Sequence, residues 1–231
     1  DTTNVEAYRV TLLVGSLLTI LSALPIWLIK VPSTASTSAP RPANLKALFA
    51  QLSQPLILKL IMPQLFIGFG AAILIPYLNV FFREKFNASN DTLGIMFGLA
   101  SIATGVATLV APLLARTLGK VRAIVFTQSA SLFFMALIGF APTFFIPAFA
   151  FVMRSALMNM GSPLYQAFSM EQAREDQRAT VNSIQTMMWN IGWAVGPALS
   201  GFIQQRYGFT PLFTATIIFY IIGTAATWIS F

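Results

Sequence analysis

The stretch Phe144 to Phe168, FFIPAFAFVMRSALMNMGSPLYQAF, decides how the rest of the chain is read. It is long enough to cross a bilayer as a helix, because about 20 apolar residues span the ~30 Å hydrocarbon core. Arg154 lies near its middle, roughly 15 Å deep at ~1.5 Å rise per residue. An isolated arginine at that depth costs from about 2.5 to well over 10 kcal/mol. A chain keeps such a residue when it faces a water-filled cavity or a partner; the other reading is an arginine hydrogen-bonded to carbonyls of a broken helix and serving only packing. Asn159, Gly161, Ser162 and Pro163 follow it, and they permit close packing and a local backbone break.

Working outward, the 231 residues are 56% hydrophobic and 9% charged, with a mean hydropathy of +0.74. Soluble domains carry about 25% charged residues, so the composition reads as an all-α, polytopic transmembrane helix bundle. The net charge of +7 resides in loops, as membrane orientation signals do, and implies no nucleic-acid partner. Cysteine and histidine are both absent. That removes thiolate and imidazole metal sites, a cysteine nucleophile and a Ser-His-Asp triad. No cofactor and no metal are expected. The chain starts at Asp1 rather than Met, which suggests that its native start lies upstream.

Apolar runs place seven spans: Tyr8–Ile29, Leu56–Phe82, Thr92–Ala115, Val121–Ala141, Phe144–Phe168, Thr180–Gln205 and Pro211–Phe231. Residues 31–55, rich in Ser, Thr, Ala and Pro, form the one compositional boundary, a linker whose Asn44–Gln51 part fits a short surface helix. Gly94, Gly98, Ser101 and Gly105 in the third span have the small-residue spacing of close helix contacts. Lysine and arginine fall nine on the side of the linker and four on the other, which puts the linker in the cytoplasm and the N-terminus of this segment outside.

No acidic residue lies at mid-membrane, so Arg154 has no acid at its own depth in this chain. In the sixth span, Asn182, Gln185, Trp189, Gly192 and Gly196 share one helical face, while Asn190, Trp193, Pro197 and Gly201 share a neighbouring one. Amides and indoles at such depth suit a solute pathway or interhelical hydrogen bonds. Gly192, Gly196 and Gly201 with Pro197 suit a close, slightly kinked helix crossing. Gln64 lies beside Pro63 in the second span, within reach of a cavity. Ser101, Thr104 and Thr108 suit bonds back to their own helix.

These features together resemble the C-terminal portion of a major facilitator superfamily transporter. The resemblance makes residues 1–30 the sixth of twelve helices and residues 56–231 the C-terminal six-helix bundle. The turn PLLARTLGKVR, Pro112 to Arg122, is similar to the family's G-x-L-A-D-R-x-G-R-R turn at Gly119 and Lys120. Arg116 stands at its acidic position and Pro112 at its leading glycine. The run G-x-x-x-G-P-x-x-x-G, Gly192 to Gly201, resembles a pattern of exporters. The resemblance implies a multi-pass carrier in the cell membrane, working by alternating access on a small-molecule substrate, with export and antiport as the expected direction and coupling. It also implies a lipid bilayer around the chain and an N-terminal bundle of the same protein as partner. The first, second, fourth and fifth helices of the bundle would line the cavity, and the third and sixth would face lipid. Gln128, on the third of these, does not fit that scheme.

The expected substrate contacts are Arg154, Gln64, Gln185, Trp189, Asn190 and Trp193, and Arg154 suits an anionic solute. Gly119, Lys120, Gly192, Gly196, Pro197 and Gly201 are expected to serve gating or helix packing. The alternative reading is a seven-helix membrane receptor. A retinal protein is excluded, since Pro211–Phe231 carries no lysine. An enzyme is disfavoured by the absence of His, Cys and deep carboxylates.

Overall fold

The computed structural model describes residues 2–22 and 54–231. The residues Ala23–Ile29 of the first span, the linker up to Ser53 and the helix expected over Asn44–Gln51 lie outside the described residues. Backbone contacts divide the chain into two units, Asp1–Leu45 and Lys46–Phe231. The first contains α1 (Thr2–Ser22), whose apolar side chains from Val10 to Leu21 are exposed.

The second unit is a bundle built from α2 (Pro55–Leu74), a 3-10 turn (Ile75–Tyr77), α3 (Leu78–Phe86), α4 (Asn90–Leu118), α5 (Lys120–Phe140), α6 (Phe145–Gln172), a 3-10 turn (Glu175–Gln177), α7 (Arg178–Tyr207) and α8 (Thr210–Ser230). Pro63 sits within the unbroken α2, whereas Pro76 falls in the 3-10 turn that joins α2 to α3. The pair therefore makes a single span with a kink near its far end. Among the described residues, four helical segments are long and apolar enough to cross a membrane: Pro55–Phe86, α4, α5 and α8. The other two, α6 and α7, have 28 and 30 residues, or about 42 and 45 Å at 1.5 Å each, and their polar residues lower their hydropathy.

Local signals set the boundaries. Pro55 opens α2, where its missing N–H would have had no intrahelical partner. Asn87, with φ of 51°, ends α3 in the left-handed conformation. Ser89 caps α4 by accepting a hydrogen bond from the Thr92 N–H at 3.2 Å. Gly119, with φ of 83° and ψ of 153°, makes the sharp corner between α4 and α5. That backbone region belongs almost exclusively to glycine.

Packing is pairwise. The helix α2 lies against α7 and α8, α5 lies against α6 and α8, and α4 lies against α6. Two apolar clusters fill opposite ends of the bundle. One is rich in phenylalanine, with the Phe81 ring edge-on to Phe213 at 4.8 Å and to Phe209 at 5.2 Å. The other gathers Ile57, Leu60, Ala123, Ile124, Leu164 and Tyr165.

A polar layer separates the clusters. On α2, Gln64 falls between Ile61 of one cluster and Ile67 of the other. On α5, Thr127, Gln128 and Ser131 fall between Ile124 and Met135, and on α6, Arg154 and Ser155 fall between Phe151 and Met160. Each helix interrupts its apolar face at the same level. In a bilayer that level is the costliest for unpaired polar groups, so what these side chains do there matters.

The small-residue stripe of α4 makes no close contact at its glycines among the described residues. A Cβ added at Gly94, Gly98 or Gly105 would meet nothing within 4 Å. Close helix contact is made instead by α7 on α2.

Candidate functional site

Arg154 projects from the middle of α6 into the polar layer and is only 5% exposed. Its Nη2 donates a hydrogen bond to the Tyr220 hydroxyl of α8 at 2.7 Å, and the guanidinium lies 5.7 Å from the centre of that ring. Its Nε is buried with no hydrogen-bond partner among the described residues. None of the ion pairs among the described residues involves it: those pairs join Lys120 to Glu171 and Arg174 to Asp176. A charge this buried is normally paired. Here it is tethered by one neutral hydroxyl.

The guanidinium borders a cavity of about 190 Å³. Gln64 of α2, Gln128 of α5, Asn159 and Ser162 of α6, Trp189 and Trp193 of α7 and Tyr220 also line it. The amides are anchored on one side only. The Thr224 hydroxyl donates to Gln128 Oε1 at 3.3 Å, and Asn159 Nδ2 donates to the Ser155 carbonyl at 2.8 Å. The two indoles sit one turn apart on α7 with ring centres 6.1 Å from each other. They form a partly exposed aromatic wall facing the guanidinium side.

A second hollow of about 270 Å³ shares Gln64, Ser162 and Trp189 with the first and continues between α6 and α7. Gln166, Asn182, Gln185 and Thr186 line it, toward the end of the bundle that carries the Ala173–Gln177 connection. The two hollows make a polar path from the middle of the bundle to that end.

Of the six expected contact residues, Arg154, Gln64, Trp189 and Trp193 meet at the cavity. Gln185 lines the neighbouring hollow, and its Nε2 is already committed, donating to the Leu60 carbonyl and to Ser169 Oγ, both at 3.1 Å. Asn190 lies elsewhere, on an open groove of α7 with Asn182, Ser183 and Ala194. Helical spacing put Trp193 beside Asn190, but the face of α7 that meets α2 is set by Gly192 and Gly196. Trp189 and Trp193 flank that line on the cavity side.

Gln128 and Tyr220 complete the site from α5 and α8, the helices that the family pattern turns toward lipid. A lone glutamine in the fourth span was the one available signal for α5. Tyr220, in a run of isoleucines and threonines, gave none. The hydroxyls of α4 behave as self-bonded side chains: Ser101 donates to the Phe97 carbonyl at 2.9 Å and Thr108 to the Thr104 carbonyl at 2.8 Å.

The glycines of α7 make the tightest helix contact. Gly192 rests on the Gly68 backbone, and a Cβ at Gly196 would lie 2.6 Å from Ala72 Cβ. At Gly201 it would lie 2.7 Å from the Tyr77 hydroxyl, which donates to the Pro197 carbonyl at 2.8 Å. The break in α2–α3 and the proline in α7 are thus tied at one level. Gly119 forms the α4–α5 corner, and Lys120 beside it pairs with Glu171 at the end of α6.

The family model described as Major Facilitator Superfamily matches residues 60–231, well over half of the chain. A search of curated proteins found no match. The matched region holds the whole cavity and all helices from α3 to α8. The chain therefore belongs to the major facilitator superfamily, as a polytopic helical membrane protein of a transporter family.

Proposed function

We propose that the protein is a secondary active transporter of small solutes that works by alternating access, with the Arg154 cavity as this bundle's share of the substrate site. The carrying observation is a mid-bundle arginine that is 5% exposed, lacks an acidic partner among the described residues and borders a polar, aromatic-walled cavity. Alternating access needs a site near the bilayer midplane between two rocking bundles. Residues 56–231 would be the C-terminal bundle, residues 1–30 the helix before it and residues 31–55 a cytoplasmic linker. An N-terminal bundle of the same protein would cover the glycine face of α4 and the Asn190 groove of α7. The cell membrane is the expected location, and the Gly192–Gly201 pattern favours export, by antiport.

The test is equilibrium exchange in liposomes by the full-length protein, screened with a panel of labelled organic acids, sugars and amines. Arg154→Lys is expected to keep the folded yield and melting temperature while lowering exchange per folded molecule at least tenfold. A lysine keeps the charge but cannot reproduce a planar two-pronged contact. Exchange unchanged in both Arg154→Lys and Arg154→Ala would remove Arg154 from the substrate site. A receptor, the competing reading, would bind a panel member and exchange none.

A further inference from the structure

Resting on that reading of the cavity, we infer that the solute class is a small aromatic monocarboxylate, held with its carboxylate on Arg154 and Tyr220 and its ring against Trp189 and Trp193.

The charge follows from the donors on offer. An arginine carries five N–H donors, and one is given to Tyr220. The others have no protein acceptor among the described residues. Tyr220 accepts from Arg154, so its own proton is left to donate, and it has no protein acceptor among the described residues. The guanidinium has only donors to give, and the phenol still has its proton to give. Two oxygens of one anion satisfy that arrangement, and a cation or a hydrogen-bond donor does not. A carboxylate matches the arginine fork in plane and spacing. The single positive charge, with no second basic residue on the cavity wall, suits one negative charge rather than the two of a phosphate monoester.

Size and wall set the rest of the molecule. An engineered apolar cavity of about 150 Å³ holds benzene, so about 190 Å³ accommodates one ring with a carboxylate. The same cavity is lined by two indoles one helical turn apart, and by Ile67, Ala71 and Met158. Indole faces favour flat, apolar bodies through offset or edge contacts, with ~0.5–1.5 kcal/mol beyond area burial. The amide groups of Gln64 and Asn159, at the rim between these walls, suit a ring substituent such as a hydroxyl.

The test is titration calorimetry of the purified full-length protein with three probes: benzoate, benzamide and acetate. Benzoate has both ring and charge, benzamide the ring alone and acetate the charge alone. Saturable benzoate binding is expected, with benzamide and acetate each at least tenfold weaker. Arg154→Lys should weaken benzoate at least tenfold. Tyr220→Phe, a milder change that guards against misfolding of the first variant, should weaken it several-fold at an unchanged melting temperature. Benzamide binding as tightly as benzoate would overturn the anion, and acetate binding as tightly would overturn the ring. Either result would leave the cavity as a solute site, and so would leave the transporter reading intact. No binding of any probe overturns the solute class. Benzoate binding that survives thiol modification of Ser162→Cys, at the cavity rim, would put the ligand elsewhere and contradict the cavity itself.

Discussion

At Gly196 the backbone of α7 comes so close to α2 that a methyl group would sit 2.6 Å from Ala72 Cβ and 2.9 Å from its carbonyl carbon. Overpacking of this kind costs about 1–3 kcal/mol. Gly196→Ala is expected to lower the melting temperature measurably and to disturb the seat of Trp189, whose ring abuts Gly68 on the facing helix. An unchanged melting temperature would mean that α7 stands farther from α2. Small residues four apart permit a close crossing; on α7 they make one at Gly192 and Gly196, whereas on α4 the same spacing at Gly94 and Gly98 meets nothing among the described residues. Arg154 was legible in the sequence: a charge amid apolar residues is too costly to be accidental. Its partner Tyr220 was not, since a tyrosine in an apolar helix has many uses and only the three-dimensional arrangement brings its hydroxyl within reach of Arg154.

Among the elements, α7 carries two roles on adjoining faces. Val181, Ile184, Gly192, Gly196 and Ser200 form the buried line, while Trp189 and Trp193 flank it at the cavity. Helical periodicity defined the faces but not which one would meet α2, and so Asn190 was grouped with Trp193 although the two point to different places. The join of α5 to α6 through Lys120 and Glu171 invites a gating role, and its exposure limits what it adds to stability. The side chains are 36% and 57% exposed, and such pairs contribute about 0–1 kcal/mol. Glu171→Gln should therefore leave the melting temperature nearly unchanged. A loss well beyond 1 kcal/mol would show that the pair is desolvated in the native protein.

The unit Lys46–Phe231 is a bundle whose two ends are apolar and whose middle is polar. Within the bundle the span boundaries were legible to within a few residues, because length, hydropathy and capping residues act locally, whereas α1 begins at Thr2 rather than at the expected Tyr8. The alignment of Gln64, Gln128 and Arg154 at one level was not, because it depends on how far each helix slides past its neighbours. Orientation was read from basic residues in loops, and it makes a direct prediction. Single cysteines at Ser36 and at the exposed Asp91 should be labelled from opposite faces of intact cells, and labelling from one face would overturn the span assignment. The central claim is that the polar middle opens to each side of the membrane in turn. Ser162 lies on the wall shared by both hollows, so the most direct measurement is the reaction of Ser162→Cys with a membrane-impermeant maleimide. It uses full-length protein, otherwise free of thiols, in sealed vesicles of either orientation. The account predicts reaction from both faces, with no ion leak through the membrane. Reaction from one face alone, or from both faces with a standing ion conductance, would contradict it.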